Sequence, residues 1–220
     1  LRRQRQMCIR DSGGRLTMRS FGARTVPYEM NTTLFSALKG SVDGPDAHQI
    51  DRFIASQTIM MSLEGIPAFY VQSFLAAEND EDRAARTGQN RSLNRTQWHA
   101  AHIDDQLANG ETPMAQVFFE LRRRIDIRTR QKAFHPDATQ FTLHIKPGMF
   151  GFWRQSLDRR QSLFVVTNIT RENKRLSLRD MNLFADTKWV DLLSGVTVNP
   201  EDEELELVPY QTVWISNEEN

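Results

Sequence analysis

The chain has 220 residues, of which 39% are apolar and 25% charged, an ordinary composition for a globular protein. Its 28 basic and 28 acidic residues give a formal net charge of zero, which offers no basic surface for nucleic acid or an anionic membrane. No apolar run is long enough to cross a bilayer, and a single cysteine, Cys8, excludes an internal disulfide framework. The basic start has no apolar signal-peptide segment after it, so we expect a cytoplasmic protein.

Residues 1–12 differ from the rest of the chain. They show neither hydrophobic periodicity nor a helix cap, and the string QRQMCIRDS resembles the translated read-through of a sequencing adapter. The alternative is a basic disordered tail, which is frequent at chain termini. Under both interpretations we exclude this segment from the fold and expect the gene to continue upstream.

The next part of the chain predicts loops, a helix and a strand. Residues 13–45 are rich in glycine and proline and predict loops, with a short helical piece over Thr32–Leu38. A helix follows, because Asp46 can cap it and apolar residues recur at helical spacing until Gly65. The short apolar run 66–72 contains β-forming residues and predicts a buried strand.

A polar stretch separates this strand from a second helix. Residues 73–111 predict a long loop, and a loop of that length inside a compact domain is usually functional. The second helix has Thr112 as its cap and Pro113 in its first turn. The arginine run 122–124 is predicted to lie mostly on the solvated face of this helix.

After residue 136 the pattern changes to short, alternating segments bounded by turns, which is typical of antiparallel β-structure. The predicted strands are Phe141–Ile145, Met149–Arg154, Leu163–Thr167, Arg175–Leu178, Lys188–Asp191, Glu204–Leu207 and Thr212–Ile215. The preceding helix–strand–loop–helix order is one unit of an α/β fold, either a (β/α)₈ barrel or an open sheet. One such unit cannot close a barrel, so we expect the rest of the domain to lie upstream.

Four groups of short motifs occur in a fixed order along the chain. They are Pro27-Tyr28-Glu29-Met30-Asn31 with Leu34–Leu38; Gly65–Tyr70; Asn79-Asp80 with Thr87-Gly88 and Asn90–Arg95; and Trp189–Gly195 with Leu207–Gln211 and Trp214-Ile215. Together they resemble the sucrose-phosphorylase branch of glycoside hydrolase family thirteen, in the amylase superfamily, and most closely its glucosylglycerate phosphorylases. The resemblance covers residues 21–220.

The resemblance implies that residues 13–136 are the last units of a catalytic (β/α)₈ TIM barrel and that residues 137–220 form a small C-terminal antiparallel β-domain. It also implies retaining phosphorolysis of an α-glucoside by double displacement, with a small-molecule sugar and inorganic phosphate as partners and no cofactor. The catalytic carboxylates are expected upstream of residue 13, so we expect this chain to be inactive by itself. Asp43, Asp46 and Asp51 are interpreted as loop and cap residues.

Three residues are predicted to bind substrate because of this resemblance. Tyr28 and Glu29 fall on the loop that closes over the acceptor and phosphate side in relatives. At this pair of positions, sucrose phosphorylases have a sequence similar to Tyr-Gln, whereas the Tyr-Glu of this chain resembles the glucosylglycerate branch. Arg91 matches an arginine that reaches the glucose-binding subsite. The alternatives are a surface glutamate beside a packed tyrosine, and a solvated arginine or one that braces Asp80.

Other candidate site residues are weaker. His99 and His102 are three residues apart, but no third ligand has suitable spacing, so we expect no metal. Aromatic residues at alternating positions are expected to be core rather than a sugar platform; they are Phe150, Phe152, Trp153, Trp189 and Trp214.

The alternative functions are sucrose or sucrose 6-phosphate phosphorolysis, amylase-type hydrolysis, and a non-catalytic carbohydrate-binding β-module.

Overall fold

The structure is a computed structural model that describes residues 13–181, 183 and 187–217. The predictions made for residues 1–12 therefore lie outside the described part of the chain. Two compact units are present, one of residues 13–53 and 69–119 and the other of residues 54–68 and 120–217. The second unit includes helical segments that lie before the predicted boundary at residue 136. Within the described ranges, no helix combines the length and apolar character needed to cross a membrane.

The first unit begins with a β-hairpin where loops are predicted. Strands β1 (Arg15–Phe21) and β2 (Arg24–Asn31) pair antiparallel around a two-residue turn, in which Gly22 has φ of 60°. A positive φ suits glycine because it has no Cβ. The register shifts beside Thr17, which leaves Tyr28 as the extra residue of a β-bulge. Gly22, which favoured a loop prediction, is thus a turn residue of a hairpin, and Pro27 directly precedes its bulge.

A short helix and a long one follow the hairpin. Helix α1 (Leu34–Ala37) confirms the predicted helical piece, and the Oγ1 of Thr33 accepts a hydrogen bond from the N–H of Ser36 to cap it. After the two-residue strands β3 (Gly40–Ser41) and β4 (Gly44–Pro45), helix α2 spans Gln49–Ser62. This helix starts three residues after Asp46, whose carboxylate accepts a hydrogen bond from the N–H of His48 in the preceding turn.

The predicted strand at 66–72 is wrong. Residues 66–70 pair with no described strand, and helix α3 begins at Val71 and ends at Phe74. Ile66 is 84% exposed rather than buried. An extended segment becomes a strand only when a neighbour satisfies its N–H and C=O groups, and no described segment does so here.

The predicted long loop at 73–111 is also wrong, because three helices occupy it. They are α4 (Glu81–Thr87), a 3₁₀ helix over Asn90–Asn94, and α5 (Ala100–Ala108). Asp80 caps α4 by accepting a hydrogen bond from the N–H of Arg83, and Gly88 ends it at φ of 66°. An aspartate before a helix and a glycine after it are ordinary boundary signals. The polar composition of the residues between them nevertheless favoured a loop prediction.

Helix α6 (Pro113–Thr129) confirms the second predicted helix, with the Oγ1 of Thr112 accepting a hydrogen bond from Ala115. The solvated arginine face is confirmed at Arg122 and Arg123, which are exposed, and is wrong at Arg124, which is mostly buried. Arg123 and Arg124 both bind Glu120, and Arg124 also donates to the Oγ1 of Thr58 at 2.7 Å. The reason is that Arg124 faces the other segments of the second unit rather than water.

The strands of the second unit are β5 (Thr139–Thr142), β6 (Met149–Gln155), β7 (Ser162–Asn168), β8 (Lys174–Ser177), β9 (Trp189–Asp191), β10 (Thr197–Val198), β11 (Glu204–Leu207) and β12 (Thr212–Ser216). Six of them form one antiparallel sheet in the order β10-β9-β12-β7-β6-β5, and β8 and β11 form a separate two-stranded antiparallel sheet. Each predicted strand corresponds to an observed one, whereas β10 is not predicted.

Aromatic rings form a large part of the core of this unit. The Phe164 ring lies between Trp153, at a centroid distance of 6.0 Å, and Trp189, at 5.6 Å. The prediction of core aromatics is wrong for Phe150, which is 39% exposed. It holds for the side chains that are buried or partly buried, which are Phe152, Trp153, Trp189 and Trp214.

Arg154 is a fully buried arginine on β6 in this unit. Its Nη1 donates to the carbonyl of Ser62 at 3.1 Å, and its Nη2 donates to the carbonyls of His135 at 2.9 Å and Ala138 at 3.2 Å. Burial lowers the pKa of the guanidinium. Three peptide oxygens thus accept from its two Nη groups and join the sheet to two helical segments, whereas its Nε has no partner in the described part of the chain.

We predict that Arg154→Met destabilises the chain by about 3 kcal/mol, because the buried carbonyls lose their donors. Urea unfolding followed by tryptophan fluorescence measures the loss. Arg122→Met is the matched control on an exposed arginine, and we expect it to change stability by less than about 0.5 kcal/mol. Equal effects of the two substitutions would show that the buried hydrogen bonds contribute nothing.

The ion pair of Glu120 with Arg123 and Arg124 should make the stability of the folded chain depend on pH. Burial alone would raise the pKa of this carboxyl, but hydrogen bonds and charge from Arg123 and Arg124 outweigh burial and hold the pKa below its ordinary value of 4.5. The ion pair therefore stabilises the folded chain above pH 4.5 and loses its contribution as pH falls through the lowered pKa.

Glu120→Gln should consequently reduce stability most at neutral pH, by about 1–3 kcal/mol, and progressively less as the pH falls below about 4. Unfolding titrations of both forms across this pH range measure the difference. Glu201→Gln, at an exposed position, is the control. A destabilisation that stays constant with pH would contradict the assignment.

Candidate functional site

A single hydroxyl group connects the hairpin to the 3₁₀ helix in the first unit. The Oγ1 of Thr17 accepts hydrogen bonds from the Nδ2 of Asn31 at 3.0 Å and from the Nδ2 of Asn90 at 3.4 Å. An ion pair between Arg15 and Glu81, at 2.5 Å, joins the same hairpin to α4. These contacts place the strand that carries Glu29 beside the helical turn that carries Arg91.

Glu29 and Arg91 form an ion pair across this junction. The Nε of Arg91 lies 3.0 Å from both carboxylate oxygens of Glu29, so one N–H is shared between two acceptors. The side chains are 31% exposed for Glu29 and 57% for Arg91. An ion pair this exposed contributes about 0–1 kcal/mol to stability, so it orients the groups more than it holds the fold.

Tyr28 lies beside this pair because the β-bulge makes it the extra residue of β2. Its ring is 56% exposed, and the Arg19 guanidinium lies 5.0 Å from the ring centroid. All three predicted site residues face one open cavity of about 420 Å³. The cavity is lined by Thr17, Tyr28, Glu29, Gly88, Gln89, Asn90 and Arg91.

The structure therefore brings together the residues predicted for substrate binding and adds Thr17 and Asn90 to them. Arg91 contacts Glu29 rather than bracing Asp80, whose carboxylate caps α4. The residues added by the structure depend on the hairpin. Its sequence signal is the alternation of polar and apolar residues on both sides of the Gly22 turn.

The chemistry open to this cavity is binding rather than bond cleavage. Glu29 is the one carboxylate among its lining residues, and that carboxylate is paired with Arg91. Retaining glycoside chemistry needs two carboxyl groups about 5–5.5 Å apart.

A second cavity of about 550 Å³ is lined in part by His102, whose ring stacks on that of Trp98 at a centroid distance of 6.0 Å. No group of three metal-ligating residues occurs in the described part of the chain.

Comparison with solved structures identifies the class of fold. The sucrose 6F-phosphate phosphorylase of Thermoanaerobacter thermosaccharolyticum has a TM-score of 0.59 at 18% sequence identity, over 94% of this chain and 34% of that one. The chain thus has a fold found in sugar phosphorylases. No family model matches the chain.

Comparison with proteins of similar sequence indicates which sugar phosphorylases the chain resembles. The chain is 29% identical over 222 residues to the glucosylglycerate phosphorylase of Spirochaeta thermophila, which is 94% of this chain and 37% of that protein. It is 30% identical over 190 residues to the glucosylglycerate phosphorylase of Escherichia coli, which is 86% of this chain and 32% of that protein. The predicted resemblance to the sucrose-phosphorylase branch of glycoside hydrolase family thirteen is confirmed. The chain spans about a third of the length of these relatives.

The shared Thr17 hydroxyl generates a prediction about the site. Thr17→Val keeps the side-chain shape but removes the acceptor for two amides, so we expect about fivefold faster hydrogen exchange at the β1–β2 amides, equivalent to about 1 kcal/mol. Thr25→Val removes a hydroxyl that bonds only to Ser20 near the hairpin turn, and serves as the control. Equal exchange rates in both variants would disprove the connecting role of Thr17.

Proposed function

We propose that the chain is the C-terminal part of a retaining sugar phosphorylase that converts glucosylglycerate and inorganic phosphate into α-glucose 1-phosphate and glycerate. The observation that carries this proposal is the meeting of Tyr28, Glu29 and Arg91 in one cavity. The relatives support it, because glucosylglycerate phosphorylases match the chain over most of its length.

The proposed reaction is a double displacement. One carboxylate attacks the anomeric carbon while a second carboxylic acid protonates the departing glycerate oxygen. A phosphate oxygen then attacks the anomeric carbon of the glucosyl–enzyme, the first carboxylate departs, and the second carboxylate takes the phosphate proton. Because the cavity has only the paired carboxylate of Glu29, we propose that the reacting carboxylates belong to the upstream part of the parent enzyme.

This chain would contribute binding groups to that reaction. In our proposal Arg91 donates hydrogen bonds to oxygens of the glucosyl unit, and Tyr28 and Glu29 line the acceptor side. Residues 13–136 would complete a (β/α)₈ barrel and residues 137–220 the C-terminal β-domain. The cytoplasm is the proposed setting, which the low cysteine content favours.

The charge of the cavity favours glycerate over a sugar phosphate as the acceptor. Glu29 and Arg91 neutralise each other, and no other charged residue lines this cavity. A doubly charged phosphate group would face the Glu29 carboxylate without a second cation to balance it. A neutral ligand avoids that cost, and a singly charged one lowers it.

The test begins with a long sequencing read across the junction near residue 12 and expression of the completed gene. We expect the complete enzyme to release glucose 1-phosphate from glucosylglycerate with a kcat/KM at least about tenfold above that for sucrose or sucrose 6-phosphate. The 220-residue chain alone should release none above background.

Several outcomes would contradict the proposal. Glucose release that is independent of phosphate would indicate an amylase-type hydrolase, and preference for sucrose would reassign the acceptor. Turnover by the chain alone would disprove the upstream location of the carboxylates. An open reading frame that supplies no carboxylates would favour a binding role.

A further inference from the structure

The ion pair leaves most of the Arg91 guanidinium unused. A guanidinium has five N–H donors in a rigid planar fork, and carboxylates usually take two of them in parallel. Here only the Nε–H is engaged, and it points between the two oxygens of Glu29. No described residue accepts a hydrogen bond from Nη1 or Nη2 of Arg91. The four N–H groups of Nη1 and Nη2 therefore remain available at the cavity, and two of them point along the edge between these nitrogens.

Glu29 is the better-fixed member of the pair. Its backbone pairs with Thr17 in the hairpin, and the Thr17 side chain is held by Asn31 and Asn90. The Glu29 side chain is also less exposed than that of Arg91, at 31% against 57%. The carboxylate is thus part of the scaffold, and the long arginine side chain takes its orientation from it.

The other nearby arginine does not compete for this role. Arg19 places its guanidinium 5.0 Å from the ring centroid of Tyr28 and 5.3 Å from that of Phe21, and it does not line the cavity. Arg91 is therefore the cavity's one lining cation, and its charge is already matched by Glu29.

We infer that Glu29 is a positioning residue that holds Arg91 by its Nε, so that the Nη1 and Nη2 edge donates to a pair of neighbouring ligand oxygens. The inference rests on the proposed function and specifies the chemistry of the same site. Two ligand groups have suitable oxygens: adjacent hydroxyls of a glucosyl ring and a single carboxylate. The neutral pair disfavours doubly charged groups, since Glu29 opposes the second charge.

A double-mutant cycle in the completed enzyme tests whether Glu29 acts through Arg91. We expect Glu29→Ala to lower kcat/KM about tenfold and Arg91→Ala about thirtyfold, with the double variant no worse than Arg91→Ala alone. Multiplied effects in the double variant would show that Glu29 meets the ligand independently, which overturns the inference. Glu203→Ala breaks an exposed ion pair with Arg179 in the second unit and should stay within about twofold of the unmodified enzyme.

Binding measurements on the same variants identify the ligand oxygens and do not require turnover. Calorimetry with methyl α-glucoside and with glycerate should show that Glu29→Ala weakens one of the two probes about tenfold, and that probe supplies the paired oxygens. Unchanged affinity for both probes would overturn the inference. An enzyme that binds the probes through this pair but performs no phosphorolysis would count against the proposed function alone.

Charge selectivity gives an independent readout. Glu29→Gln keeps an oxygen acceptor for the Nε–H but removes the negative charge. We expect the affinity for fructose 6-phosphate relative to glycerate to rise about fivefold, because the second charge is no longer opposed. An unchanged ratio would overturn the inference that the neutral pair disfavours doubly charged ligands.

Discussion

A buried guanidinium has to place its donors on acceptors, and in the second unit this requirement fixes the sheet to its helical segments. Arg154 reaches the carbonyl at the last residue of α2 and two carbonyls of the connection before β5. Helix C-termini leave carbonyl groups without intrahelical partners. An arginine at such an end therefore gives partners to these carbonyls and to its own buried N–H groups. Arg128 does the same through the carbonyls of Met61 and Phe134.

The first unit applies the same principle with a smaller group. The Thr17 hydroxyl accepts from two amides that are distant in sequence, and this places β2 beside the 3₁₀ helix. The Glu29–Arg91 geometry follows from that placement, because an exposed ion pair is too weak to create it. The orientation of the charged groups therefore depends on the uncharged contacts of Thr17 and Asn90, which also line the cavity.

The strands of the second unit were predictable because each alternates between a core face and another environment, and period-two patterning survives in a single sequence. The strand prediction for residues 66–72 is wrong because these residues have no described strand neighbour. Strand pairing depends on residues distant in the chain, so local apolar composition does not reveal it. The segment 73–111 misled because polar helices resemble loops in composition. Family resemblance supplied Tyr28, Glu29 and Arg91 separately. The contact between Glu29 and Arg91 could not be predicted, since it depends on the bulge and register of an unrecognised hairpin.

The Arg154 contact also has a consequence for the order of events during synthesis. Its acceptor at Ser62 precedes it by 92 residues. At a translation rate of about 5–20 residues per second, the end of α2 waits roughly 5–20 seconds for its donor. During that interval water has to solvate the Ser62 carbonyl, because a backbone oxygen needs a hydrogen-bond partner. The hydrogen bonds at the end of α2 are therefore completed only after β6 has been synthesised.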